Sequence, residues 1–156
     1  LMRLLDRIDV EEIQQAQLQL LRTLIGKRKF QRYLVQGCYP IAIDGTQKFA
    51  TYTLWDEQYL ERRVGDEKAR RTQYYLYVPE ANLAFRDGMR IPLMSEFLDY
   101  GQGENWGEKQ DCELRAFYRL AERLHRAFRR LPIMLLLDGL YSVGAVMELC
   151  CKRGWE

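Results

Sequence analysis

Two aspartates, Asp44 and Asp138, stand in the same local setting. Each follows an apolar stretch and precedes a glycine, in Ile41-Ala42-Ile43-Asp44-Gly45 and in Leu135-Leu136-Leu137-Asp138-Gly139. Two carboxylates held within a few ångströms repel, and one pKa rises unless a cation neutralises them. A paired-aspartate site working at neutral pH therefore implies a divalent ion, and an oxygen-only donor set selects Mg2+ or Mn2+ over zinc. With two such ions about 4 Å apart, one can activate water or a 3′-hydroxyl while the other stabilises the leaving oxygen of a phosphodiester. The competing reading makes each Asp-Gly a turn at a strand end, where that dipeptide is common. The two acids are 138 − 44 = 94 positions apart, so the chemistry requires a fold that joins them.

The elements that must do the joining are visible in the spacing. Asp9 with Glu12 has the form of a capping box, and Ile13, Ala16, Leu20 and Leu24 recur at helical spacing until Gly26 offers a stop. The basic cluster Lys27, Arg28, Lys29 then suits a helix C-terminus. Tyr39 to Gln47 reads as a strand that stops being apolar at Asp44. From Lys48 to Thr72 charged residues recur without a period, and we expect an irregular, partly helical excursion from the core. Tyr74 to Val78, continuing through Ala81 to Phe85, forms a strand; Asp87-Gly88 is a turn and Met89 to Phe97 returns antiparallel. After a glycine-rich loop from Gly101 to Lys109, Leu114, Phe117, Ala121, Leu124 and Phe128 share one face of a helix that ends before Pro132. Ile133 to Leu137 is a continuous apolar run, the pattern of a strand buried on both faces. Tyr141 to Arg153 is a helix closed by Gly154. This order defines an α/β fold, a mixed sheet with helices packed on it. In it the Ile133 strand lies beside the Ile41 strand, which makes Asp44 and Asp138 neighbours.

Composition bounds what else the chain can be. Its 156 residues, 47% hydrophobic and 29% charged, support one domain with a substantial core. A formal charge of +2 is too mild to mark a nucleic-acid binder by itself. No apolar run approaches the roughly 20 residues of a membrane-spanning helix, and a cytoplasmic location is the expectation. Cys38, Cys112, Cys150 and Cys151 include no C-x-x-C pair and read as reduced and structural. A single histidine, His125, argues against histidine-based zinc or nuclease chemistry and falls at the edge of an apolar helix face. Ten tyrosines invite a recombinase in which a phenol attacks phosphate, but the accompanying Arg, His, Arg and Tyr arrangement is missing. No G-x-S-x-G elbow supports a serine hydrolase.

Four stretches carry a resemblance in order: Tyr39 to Gln47 (YPIAIDGTQ), Ile91 to Leu98 (IPLMSEFL), Lys109 to Leu114 (KQDCEL) and Pro132 to Tyr141 (PIMLLLDGLY). Together they resemble insertion-sequence transposases with a DDE domain, in particular the ISNCY-type group. The resemblance implies an RNase H-like fold, with the first acid on the first strand and the second after the fourth. It makes Asp44 and Asp138 the first two catalytic, metal-binding acids of a DNA transposase, with two Mg2+ or Mn2+ ions in the complete site. It places the third acid, a glutamate on a later helix, beyond Glu156. By the same resemblance residues 38–156 form a partial catalytic core truncated before the last strand and helix, inactive alone, with residues 1–37 an N-terminal helical extension. DNA is the implied partner, with homo-oligomerisation of the full-length protein. An RNase H-like nuclease and a transposase-derived module that only binds DNA or protein are the alternatives.

Several other charged residues admit two readings. Arg115, Arg119, Arg123, Arg126 and Arg130 make a basic stripe with few acids in it, suited to phosphate contact or to solvation of an exposed face. Arg62, Arg63, Lys68, Arg70 and Arg71, with Trp55 nearby, form a second candidate DNA surface, favoured by closeness in sequence to Asp44. Asp111 and Glu113 suit the N-terminus of a helix electrostatically, although Glu113 or Glu122 could instead complete a nuclease site. Glu96 reads as an edge-strand charge or as a partner behind the acids.

Overall fold

The computed structural model describes residues 9–55, 59–66, 70–98 and 109–156. Lys68, the loop over 101–108 and the side chains of Asp111 and Cys112 lie outside the described residues. Eight elements follow one another: α1 (Val10–Gly26), β1 (Tyr39–Thr51), β2 (Leu60–Val64), β3 (Arg71–Ala84), β4 (Arg90–Ser95), α2 (Lys109–Ala127), β5 (Ile133–Leu136) and α3 (Gly144–Arg153). The strands form one five-stranded sheet in which β3 is central to an antiparallel set. It pairs with β1 on one side and with β2 and then β4 on the other. β5 joins the far side of β1 in parallel, Tyr39 opposite Ile133 through Ala42 opposite Leu136. The result is a mixed α/β sheet with helices packed on it, and the order β4-β3-β1-β5 is the RNase H-like arrangement.

Alternation along the strands explains which face is covered. Tyr39, Ile41 and Ile43 of β1, Ala81 and Leu83 of β3, and Ile133 of β5 join a single apolar core with Leu21 of α1, Phe117, Leu120, Ala121 and Leu124 of α2, and Val146 of α3. All three helices thus lie on one face. α2 supplies the largest stripe, and its spacing of three and four residues matches the expected face with Ala116 and Leu120 added. β5 departs from the expectation of burial on both faces: Ile133 is buried, but Leu136 is 43% exposed on the face without helices. Its outer edge is lined by the chain itself, as Glu156 accepts from Leu135 N–H (2.8 Å) and donates to Ile133 carbonyl (3.0 Å). Trp155 is buried just before, beside His125, which is packed as expected.

Among the described residues of 48–72 none is helical, and Lys48–Thr51, Leu60–Val64 and Arg71–Thr72 are strand, with irregular segments between them. β1 continues to Thr51 past a bulge between Gln47 and Phe49, and β2 pairs with the first half of β3. This distal part of the sheet is held by cross-strand contacts, including Arg62 Nε to Gln73 Oε1 (2.7 Å), Arg62 over the Tyr75 ring and Phe49 edge-on to Tyr59. With much of its surface in solvent it shows no apolar alternation. The C-terminal helix starts later than expected, a 3-10 turn over Gly139–Tyr141 preceding α3. Gly154 closes it with φ of 63°, a left-handed cap suited to glycine.

α1 begins at Asp9, whose carboxylate accepts from Glu11 N–H (2.8 Å), and ends at Gly26. Its buried face differs from the expected one. Leu21 is 3% exposed and Leu18, Leu24 and Ile25 pack beside it, whereas Ile13 and Leu20 are 55% and 59% exposed. The helix is tied down by polar contacts as well: Gln17 to Pro92 carbonyl, Arg22 to Ala127 carbonyl and Arg123 to Gln14. No helix among the described residues is long and apolar enough to cross a membrane. Substituting the neighbours Leu20 and Leu21 checks the helix phase. Leu21→Ala is expected to cost about 2–5 kcal/mol in urea denaturation, and Leu20→Ala to stay within about 0.5 kcal/mol.

Candidate functional site: an acidic end of the sheet

Asp44 and Asp138 are exposed, the first on β1 and the second two residues past the end of β5, the parallel neighbour of β1. The paired residues of β1 and β5 are all 94 apart, as in 133 − 39 = 94, and 138 − 44 = 94 as well. The two aspartates therefore occupy equivalent register positions, two residues past the last pair and on the same face as Ala42 and Leu136. Asp138 caps the 3-10 turn, its Oδ1 accepting from Leu140 N–H at 2.9 Å, which fixes the orientation of its carboxylate. Asp44 faces Glu80 across β3, a like-charge pairing that would be unfavourable alone. Lys48 takes Glu80 into an ion pair at 2.7 Å, and Ser95 donates to the same oxygen at 3.5 Å.

The two Asp-Gly dipeptides have different structural roles. Asp138-Gly139 opens a turn, as the dipeptide suggests. Asp44-Gly45 is not a turn: Gly45 lies mid-strand opposite Pro79, and a Cβ there would overlap the ring and hydroxyl of Tyr77. Glycine is needed at 45 for the close approach of that ring.

Tyr77 leads to a group that sequence reasoning assigned to a helix end. Glu113 is 6% exposed and sits at the N-terminal end of the buried stripe of α2, four residues before Phe117. Dipole stabilisation at the surface does not account for it. A buried carboxylate costs several kcal/mol unless it is hydrogen-bonded. Here Tyr77 donates to Glu113 Oε1 at 3.1 Å and Tyr141 at 3.4 Å. Both phenols have pKa values well above the ordinary tyrosine range, first through burial, then through the charge of Glu113, with Asp44 and Asp138 adding to the effect. The three carboxylates and two phenols therefore form one electrostatic cluster. The signal in the sequence was the phase of α2, since Glu113 falls on the line of Phe117, Leu120 and Leu124.

The remaining candidates lie elsewhere. Glu122 is nine residues, about 13 Å, further along α2, and is held by Arg126 (2.9 Å) and Arg153 (2.5 Å). Glu96, neither a bare edge charge nor part of the acidic end, takes both Arg119 and Arg123 at 2.7 Å. Those arginines also donate to the carbonyls of Phe97 and Ser95. The stripe on α2 thus meets acids supplied by other elements or the next turn, and Arg130 lies past the helix end. Arg115 is exposed. Arg63, Arg70 and Arg71 are exposed, and Arg62 half-buried, at the distal end of the sheet. Arg71 is nine residues along β3 from Glu80, the partner of Asp44, and Arg62 and Arg63 pair with Gln73 and Thr72, so about 23–30 Å of strand separates these arginines from the acidic end. Closeness in sequence to Asp44 does not become closeness in space. Cys38, Cys150 and Cys151 are free thiols, with burial raising the pKa of Cys150.

Among the described residues no group of three or more Asp, Glu, His or Cys is arranged to hold a metal ion. Two exposed carboxylates with oxygen-only donors fit a hard divalent cation completed by water, since Mg2+ commonly uses one or two carboxylates. No protein-family model matches the chain, and no curated protein matches it in sequence. Among solved structures the chain is similar to the catalytic domain of Mos1 mariner transposase, at 14% identity with a TM-score of 0.36. That match covers 96% of this chain and 61% of the other, so the chain spans less than two thirds of its length.

Two outcomes follow. Gly45→Ala is expected to destabilise by about 1–3 kcal/mol through overpacking against Tyr77, and Tyr77→Ala in the same molecule should relieve much of that loss. Because the folded-state pKa values of Tyr77 and Tyr141 lie above the unfolded value, stability is full below about pH 10 and falls as pH rises beyond it. Absorbance titration at 295 nm should show these two phenols ionising only as the protein unfolds in alkali; ionisation with the exposed tyrosines would contradict the buried network.

Proposed function

We propose that the chain is part of the catalytic core of a DDE-class DNA transposase, in which Asp44 and Asp138 hold the divalent cation. The observation that carries this reading is the shared register of the two aspartates on β1 and after β5. The four ordered stretches that resemble DDE transposases support it independently. Bound there, Mg2+ or Mn2+ would activate a water or 3′-hydroxyl and stabilise a leaving phosphodiester oxygen. The contribution of the chain is to bind and orient: Leu140 N–H fixes the Asp138 carboxylate, and the Lys48–Glu80 pair draws a competing acid away from Asp44. The resemblance expects the third acid, a glutamate, on a later helix beyond Glu156. Hydrolysis at an element end and joining of the freed 3′-hydroxyl to target DNA are accordingly assigned to the full-length protein, acting as a homo-oligomer. Arg63, Arg70 and Arg71 at the distal end of the sheet and Arg115 on α2 are exposed and would supply phosphate contacts. A second reading, an RNase H-like nuclease without strand transfer, is favoured by Glu113, an acid from the core helix in the same electrostatic cluster.

Mn2+ binding by the chain tests the reading, with free ion followed by electron paramagnetic resonance. Asp44→Asn and Asp138→Asn are each expected to weaken binding by at least about 100-fold, more than loss of an outer partner would. In the full-length protein the same substitutions should abolish metal-dependent cleavage at element ends. Unchanged Mn2+ affinity in both variants would refute the assignment.

A further inference from the structure

Glu113 is a buried carboxylate that a two-aspartate site leaves unused, and two of its hydrogen-bond partners stand next to the aspartates: Tyr77 on β3, the strand paired with β1, and Tyr141 in the turn that Asp138 caps. The Tyr77 ring lies against Gly45, the residue next to Asp44. Tyr141 ends the turn capped by Asp138, with its N–H bonded to the Asp138 carbonyl at 3.2 Å, and its ring packs on Phe117 of α2 at 5.0 Å between centroids. Both hydroxyls converge on the same oxygen, Glu113 Oε1. One atom on α2 therefore links the β1 side of the acidic end to the β5 side.

We infer that Glu113 is a positioning residue which, through Tyr77 and Tyr141, sets the spacing of Asp44 and Asp138 without binding the cation itself. The inference rests on the proposal that those two aspartates are the cation site. The pairing of β1 with β5 stops at Ala42 and Leu136, two residues short of the acids, so backbone hydrogen bonds between the strands do not reach them. A clamp from behind supplies the missing constraint. Glu113 is not arranged with the aspartates as a third ligand, since no such group of three exists among the described residues. It also lies on the helix-covered side, with the Tyr77 ring beside Gly45, while Asp44 faces the opposite side of the sheet.

The test measures Mn2+ affinity of the full chain, well below its melting temperature, in wild type and in Tyr77→Phe, Glu113→Gln, Glu113→Leu and Asp44→Asn variants. Tyr77→Phe removes only a hydroxyl and Glu113→Leu removes the acceptor; each is expected to weaken binding by about 10-fold or more, as loss of an outer-shell partner does. Glu113→Gln keeps an amide oxygen able to accept both hydroxyls and should bind close to wild type. If Glu113→Gln loses as much affinity as Glu113→Leu, Glu113 acts by charge or as a ligand and the positioning role is wrong. Wild-type affinity in Tyr77→Phe, which preserves the packed ring and so the fold, would overturn it as well. A wild-type chain that binds no Mn2+, or an Asp44→Asn variant that binds normally, would instead refute the cation site on which the inference stands.

Discussion

Four residue pairs, Tyr39 with Ile133 through Ala42 with Leu136, join strands 94 positions apart, as 133 − 39 = 94, and the acidic end of the sheet exists because of that register. A slip of one residue would turn Asp138 to the helix-covered face and leave Asp44 without its neighbour. The register is held by packing more than by the ladder itself. Ile41, Ile43 and Ile133 present one face to Phe117, Leu120, Leu124 and Val146, so a shift would bring Met134 and Leu136 inward against a core shaped for Ile133. Both aspartates are exposed, so their charge is met by solvent and not by the interior.

The polar network behind the acids shows a second constraint. Two phenols reach one oxygen of the buried Glu113 and help to offset its burial, and each phenol is fixed by something close to an aspartate. Gly45 leaves room for the Tyr77 ring, and the turn capped by Asp138 delivers Tyr141. The buried polar cluster and the exposed acidic pair thus share their local geometry, and neither could move far without disturbing the other.

Several arginines serve the architecture. Arg119 and Arg123 grip Glu96, Arg123 also reaches Gln14 of α1, and Arg153 bridges α3 to Glu122 of α2. These contacts attach the first and last helices to α2, and α2 to the segment after β4. Partly exposed pairs of this kind contribute little energy individually, but they fix the relative placement of helices that share one apolar core. Other basic residues are exposed, at Lys27, Arg28 and Lys29, at Arg86 and Arg90, at Arg129 and Arg130, and at the distal end of the sheet.

Local pattern was enough to define the β1, β3 and β4 segments, α2 and both ends of α1, since each shows a period, a cap or a turn dipeptide that depends on near neighbours. It was also enough to place the Ile133 strand beside the Ile41 strand, because a helix-linked crossover leaves few other arrangements. The phase of α1, with Leu21 inside and Leu20 outside, depends on the surface it docks against and is not encoded in apolar spacing alone. The distal strands carry no periodic signal because solvent-exposed strands need no alternation. The partners of Glu96 and Glu113 are not legible in local pattern because they lie 23 to 36 residues away, Arg119 and Arg123 for Glu96 and Tyr77 and Tyr141 for Glu113. Sequence by itself determined which groups were present and which segments could pair; the choice of partner for each charge was made by tertiary packing, because electrostatic and hydrogen-bonding energies depend on distance and burial that only the folded chain supplies.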